Sequence, residues 1–181
     1  MRIVSGSLRG RHINPPKNFR ARPITDFAKE SIFNIISNHF DFEGLRILDL
    51  FAGTGSISYE FISRGAVIVD SVEKDFHHWQ FIRKTAYQLN LIGLNPIKVD
   101  AFIYLKGCAK EYDIVFADPP YDLQGIDALP ELILLKSLLA DGGWFIFEHS
   151  DKYDFSENQY FLERRVYGSV NFSIFQKKNI S

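Results

Sequence analysis

Short apolar runs and longer amphipathic stretches alternate along this chain, and that alternation predicts its architecture. Thr25 or Asp26 can cap a helix running to about His39, with Ile32, Phe33, Ile35, Ile36 and Phe40 on its apolar face. Arg46 to Leu50 reads as a buried strand, Phe51 to Ser56 as a glycine-rich turn, and Ile57 to Ser63 as a helix stopped near Gly65. Val67 to Val72 is a second strand ending at Glu73, and Phe76 to Leu91 is a helix broken by Gly93. A short strand around Ile97 to Val99 ends at Asp100, and Ala101 to Lys106 is a short helix. Ile114 to Ala117 is a fourth strand, Ile126 to Leu139 a long helix, and Gly143 to Glu148 a fifth strand. Strands alternating with helices predict an α/β fold with a doubly wound, mostly parallel sheet. Tyr160 to Tyr167 and Val170 to Gln176, parted by Gly168-Ser169, predict an antiparallel C-terminal hairpin at the sheet edge.

The chain has 181 residues, 46% hydrophobic and 24% charged, which suits one domain (residues 1–181) with a sizeable core. No window approaches the roughly 18 unbroken apolar residues that a membrane helix needs. The first residues lack the apolar stretch of a signal peptide. A lone cysteine, Cys108, excludes an internal disulfide framework, and a cytoplasmic location is expected. Net charge is −1, yet residues 1–22 hold six basic side chains and no acid. The rest has fifteen basic against twenty-two acidic residues. A basic arm or hairpin (1–22) on an acidic core (23–181) suggests polyanion contact at one end, against the plainer reading of a solvated surface arm.

Four strand ends carry candidate chemistry. Asp118-Pro119-Pro120-Tyr121 follows the apolar Ile114–Ala117 run, so it belongs at the carboxyl end of a strand, where open α/β sheets bind ligands. Two prolines stiffen this loop. An acceptor followed by an aromatic face can hold a planar amine, the carboxylate and a carbonyl taking its N–H groups while the ring stacks. Upstream, Gly53-Thr54-Gly55 sits directly after a strand, where glycines admit a ligand close to the backbone and the next helix offers free amides. Glu73 closes the next strand, about 20 residues on, where a ribose-binding acid belongs. Asp100 closes the third, positioned to meet an adenine amine. Together these describe an adenosine cofactor. The dinucleotide form is disfavoured, because its third glycine would fall at Ser58.

Asp49-Leu50-Phe51-Ala52-Gly53-Thr54-Gly55 with Asp118-Pro119-Pro120-Tyr121 resembles a Rossmann-like class I S-adenosylmethionine-dependent methyltransferase that methylates amines. Arg2 to Gly6, Arg9-Gly10-Arg11, Arg22 to Asp26 and Lys29 to Asn34 narrow the likeness to the RsmD family of bacterial 16S rRNA guanine-N2 methyltransferases, across essentially the whole chain. The pattern departs at Ile24, where threonine is usual, and at Lys29, where arginine is usual. The resemblance implies methylation of guanine 966 of 16S rRNA in the small ribosomal subunit, with S-adenosylhomocysteine as product, no metal and a monomeric enzyme. It implies that Thr25 and Asp26 close over the methionine end of the cofactor. Asp49 and the Phe51, Ala52, Gly53, Thr54 and Gly55 turn hold its middle, Glu73 and Lys74 its ribose region, and Asp100 with Ala101 its adenine. Asp118, Pro119, Pro120 and Tyr121 would be catalytic, and Arg2, Arg9, Arg11, Arg20 and Arg22 would contact RNA.

Other residues read as structural. Adjacent His77 and His78 do not share a helix face, and no spaced Cys or His cluster suggests a metal. Trp144 reads as packing and His149 as a satisfied or solvent-facing histidine. Two other functions fit the motifs. An amino methyltransferase on another RNA or DNA base, such as adenine N6, has a similar loop. Such DNA enzymes usually carry a separate recognition domain, for which this length leaves no room. A non-catalytic cofactor-binding, RNA-binding module would be expected to lose Asp118 or the glycine turn, and both are present.

Overall fold

The structure is a computed structural model that describes residues 1–17, 19, 24–136 and 138–177. In chain order it contains α1 (Asp26–Ser37), β1 (Arg46–Leu50), α2 (Ser56–Arg64), β2 (Ile68–Glu73), α3 (Phe76–Gln88), β3 (Leu94–Lys98) and α4 (Ala101–Gly107). There follow β4 (Tyr112–Ala117), a 3-10 turn (Ile126–Ala128), α5 (Leu129–Leu134), β5 (Leu139–His149), β6 (Phe161–Tyr167) and β7 (Val170–Gln176). The strands form one sheet in the order β3-β2-β1-β4-β5-β7-β6. The first five run parallel, and β7 pairs antiparallel with both β5 and β6. The expected edge hairpin is thus present, with its second strand innermost.

Both faces of the central sheet are covered, so most successive residues of β1, β2, β4, β5 and β7 are buried, while the edge strands β3 and β6 are largely exposed or half-buried. Ile47, Val69, Phe116 and Ile146 join one apolar cluster with α1 and α2. Leu48, Val115, Phe145 and Phe147 join the other, beneath α4 and α5. Chain order reverses between β1 and β4, which opens a crevice at their carboxyl ends.

Two elements differ from the sequence expectation. The long helix over Ile126–Leu139 is only a 3-10 turn and the six-residue α5, while Leu139 already begins β5. An unbroken apolar run does not distinguish buried helix from buried strand. Here Leu139 pairs with Tyr112, and a register shift precedes the Ile114–Trp144 pairing. β3 starts earlier, at Leu94, because Asn95 and Pro96 hide a strand that lies at the sheet edge, where proline is tolerated.

The amino-terminal arm is a docked hairpin. Arg2 and His12 form an antiparallel bridge, and Ile3 and Arg11 share a 3.0 Å backbone hydrogen bond. Buried Glu60 on α2 accepts the amides of Val4 (2.8 Å) and Ser5 (3.0 Å). Ser7 N–H donates to the Ser63 carbonyl at 2.7 Å. A Cβ at Gly6 (φ +82°) would lie 1.8 Å from that same carbonyl oxygen, so only glycine allows this approach. Lys29 is 1% exposed and donates to the Arg2 carbonyl (2.6 Å) and Ser56 Oγ (3.2 Å), with Glu60 at 3.9 Å. Lys29 thus sets a compact ammonium with three donors between the hairpin and α2, with a carboxylate nearby.

Candidate active site

A cavity of about 580 Å³ opens beyond the carboxyl ends of β1, β2, β4 and β5. Thr25, Asp49, Phe51, Ala52, Gly53, Thr54, Glu73, Lys74, Ala101 and the whole Asp118–Tyr121 loop line it. The two motifs, more than sixty residues apart in sequence, therefore face one space.

The glycine turn is built on left-handed backbone. Phe51 (φ 61°), Gly53 (φ 54°) and Gly55 (φ 81°) all have positive φ. For Phe51 this is a sparsely populated conformation, costing on the order of 1 kcal/mol, and the surrounding contacts must impose it. At Gly55 a Cβ would meet the Tyr59 ring at 2.7 Å. Glu73 clamps the turn: its carboxylate accepts Gly53 N–H and Asp75 N–H, both at 2.7 Å. Ser58, the missing third glycine, is fully buried. Its hydroxyl donates to Asp49 Oδ2 at 2.5 Å and lies 2.9 Å from Ser71 Oγ. One hydroxyl holds one proton, so the proton between the serines comes from Ser71.

Burial pushes the Asp49 carboxyl up to about 7, with the Glu73 charge adding to the rise and hydrogen bonds at Ser58 opposing it. A folded value raised above the ordinary 3.8 means that this stabilisation is complete at low pH and lost as pH rises through about 7. A cation bound near Asp49 favours the carboxylate. S-adenosylmethionine affinity is therefore expected to rise with pH up to about 7, with proton release on binding. Calorimetry in buffers of different ionisation enthalpy checks this, and Asp49→Asn should abolish the proton release.

The proline loop leaves β4 at Ala117, whose register partner is Phe147 on β5. Asp118, just past β4, and Glu148, the penultimate residue of β5, therefore follow paired positions near the carboxyl ends of adjacent parallel strands. Pro119 is buried and Tyr121 is 38% exposed. The Tyr121 hydroxyl donates to Glu148 Oε1 at 3.1 Å, which tethers the far end of the ring to β5. Glu148 is 5% exposed, lines the cavity and belongs to no motif. Its signal in the sequence is an acid closing an apolar strand, the same signal that marks Glu73.

Three expected cofactor residues stand outside the lining. Asp26 opens α1 and faces Arg2 at 3.9 Å. Gly55 is the N-cap of α2, and its amide donates to the Ala52 carbonyl at 2.7 Å. Asp100 caps α4, its Oδ1 accepting from Phe102 (2.9 Å) and Ile103 (3.4 Å), while its neighbours Val99 and Ala101 line the cavity. Arg2, Arg9 and Arg11 are exposed on the hairpin. Arg20 and Arg22 lie outside the described residues. Ile24, Val72, His78 and Val170 also line the cavity without a sequence signal.

His149 is fully buried. The Ser150 carbonyl, 2.8 Å from Nδ1, can only accept, so Nδ1 carries the proton and Nε2 accepts from Ser173 Oγ at 2.7 Å. Burial holds its basicity below the ordinary range, and the satisfied-histidine reading is correct. Trp144 is buried in the core. Among the described residues, no group of three or more His, Cys, Asp or Glu is placed to hold a metal, and no helix is long and apolar enough to cross a membrane.

The conserved hypothetical protein 95 family matches residues 1–176. The "Putative rRNA methyltransferase YlbH" of Bacillus subtilis is 34% identical over 98% of this chain and 100% of its own length. The ribosomal RNA small subunit methyltransferase D of Escherichia coli is 32% identical over 82% of this chain and 71% of its own. Among solved structures, "Putative methyltransferase yhhF" of Escherichia coli superposes with a TM-score of 0.86, at 26% identity and 98% coverage of both chains. With its mostly parallel seven-stranded sheet and these relatives, the chain belongs to the conserved hypothetical protein 95 family, the RsmD family of Rossmann-like methyltransferases.

Proposed function

We propose that this protein transfers the methyl group of S-adenosylmethionine to the exocyclic N2 amine of a guanine in 16S rRNA, within the small ribosomal subunit or an assembly intermediate. Guanine 966 is the target that family resemblance gives. The observation that carries the reading is the opening of the glycine turn and the Asp118–Tyr121 loop into one cavity. The names of the relatives from Escherichia coli and Bacillus subtilis support an rRNA substrate. The location would then be cytoplasmic, where ribosomes assemble.

The lining fits the cofactor. Asp49 and Glu73 line the cavity with carboxylates suited to a cationic ligand, and Val72, Val99 and Ala101 offer an apolar slot for a base. Glu73 has acceptor capacity beyond its two amide bonds for ribose hydroxyls. Thr25, at the start of α1, would face the methionine end. When bound, S-adenosylmethionine supplies an electrophilic methyl on a sulfonium.

The chain's own residues then act on the amine. The lone pair of a guanine 2-amino group is delocalised into the ring, which makes it a weak nucleophile. Asp118 and the Pro119 carbonyl accept its two N–H groups and aim the nitrogen, so catalysis is mainly positioning. The Asp118 carboxylate is also a candidate acceptor for the proton that the amine must shed, a role the Asp118→Asn variant tests. Tyr121, steadied by Glu148, stacks on the unstacked base.

Reversing charge on the hairpin with Arg9→Glu and Arg11→Glu is expected to weaken rRNA binding and flatten its salt dependence by about two units of slope. Filter binding across salt concentrations checks this, and an unchanged slope would return the hairpin to a solvated surface. The proposed reaction is tested by digesting labelled product RNA to nucleosides. Label in N2-methylguanosine is expected; label in N6-methyladenosine would favour the adenine reading.

A further inference from the structure

Phe27 is 70% exposed on the first turn of α1, although that helix has an apolar face of its own to bury. It does not stand alone. Its ring meets that of Tyr167, at the end of β6, with centroids 5.9 Å apart and planes at 85°. Tyr167 is itself half-buried and packs on Phe172 of β7 at 6.2 Å. Two elements distant in sequence thus hold an aromatic ring out towards solvent. The place matters: Ile24 and Thr25, just before Phe27, and Val170, just after Tyr167, all line the cavity. The aromatic pair is thus flanked along the chain on both sides by residues that line the cavity.

The charge around it indicates the occupant. Arg2 lies beside Asp26 at 3.9 Å, and exposed Arg9 and Arg11 continue the same hairpin. An exposed ring next to an arginine-bearing hairpin is the combination that binds single-stranded nucleic acid, a base stacking on the ring and phosphates meeting the cations. A flipped target base leaves its unstacked neighbours at the pocket entrance.

We propose that Phe27, supported by Tyr167, is a stacking ledge for an rRNA base flanking the target nucleotide, separate from the pocket in which Tyr121 holds the target itself. The ledge rests on the RNA-methylating reading. It supplies affinity without neutralising phosphate, so it leaves the salt dependence of binding unchanged.

The test measures binding of the full-length protein to small ribosomal subunits carrying unmethylated rRNA, over a range of salt concentrations. Phe27→Ala is expected to weaken binding about 5- to 100-fold with the wild-type salt slope. Phe27→Tyr should restore most of the affinity. Phe27→Leu, apolar but without a π-face, should not. S-adenosylhomocysteine binding by each variant reports that the site is folded. Wild-type affinity in Phe27→Ala, or full rescue by leucine, would overturn the ledge. So would sedimentation showing that Phe27 instead holds two copies of the chain together. Failure of the wild-type protein to bind the subunits at all would instead remove the proposed function.

Discussion

Replacing Asp118 with alanine is expected to slow methyl transfer by about 10³-fold or more, while S-adenosylmethionine affinity stays within about threefold of wild type. Asp118 faces the cavity shared with the glycine turn, but it stands at the end of β4, whereas the turn and its Glu73 clamp stand at the ends of β1 and β2. The substitution therefore removes an acceptor for the amine and leaves the cofactor cradle intact. Pro119 and Pro120 keep the loop stiff, so the loss is local. Asp118→Asn separates two roles. It keeps an acceptor oxygen but cannot take a proton as a carboxylate does. Activity well above that of the alanine variant would assign Asp118 to orientation; equal loss would assign it to proton removal. Single-turnover rates with saturating cofactor make the measurement, and a normal rate for the alanine variant would sink the role of the loop.

The second large effect falls on Glu73. Glu73→Ala is expected to weaken S-adenosylmethionine binding about 100-fold or more, read by calorimetry. Its carboxylate holds Gly53 N–H and Asp75 N–H, each at 2.7 Å, in a site where Glu73 is only 8% exposed. Hydrogen bonds to a charged group are worth about 1.5–3 kcal/mol each, and both of these are lost with the carboxylate. The turn includes Phe51 in a left-handed conformation that relaxes once the clamp is gone. Any contact with the cofactor ribose disappears as well. Glu73→Gln retains one acceptor oxygen and is expected to fall between wild type and alanine. Affinity within threefold for the alanine variant would contradict both the clamp and the ribose role.

How far the site was legible in the sequence differs from residue to residue. The glycine turn was legible because close backbone approach needs glycine at fixed spacing after a strand. The proline loop was legible because a β-rich run must end where Asp118 begins. Glu73 was marked for the same reason, though its present partners are backbone amides. Asp100 shows where strand-end reasoning is less exact: β3 stops at Lys98, and Asp100 spends one oxygen as the N-cap of α4. Glu148 carries the same strand-closing signal as Glu73, but what brings it into the site is the pairing of β5 with β4, which no local motif records.

The fold was legible where local pattern and long-range pairing agree. The alternation of strands and helices gave the parallel sheet, and Gly168-Ser169 gave the hairpin. The 126–139 segment failed because tertiary pairing of Leu139 with Tyr112 decided between two states that the apolar run permits equally. The basic arm gave no hint that Glu60 and Ser63 of α2 would hold it in place, since a helical acid and serine look like ordinary surface residues.

The central claim is that one cavity brings a methyl donor and a guanine amine of the small ribosomal subunit together. Incubating the protein with labelled S-adenosylmethionine and small subunits from a strain lacking the enzyme, then mapping the modified base, tests it most directly. One labelled guanine in 16S rRNA, methylated at N2 and absent with Asp118→Ala, is the predicted result. Label on adenine, on large-subunit RNA, or on no RNA at all would contradict it.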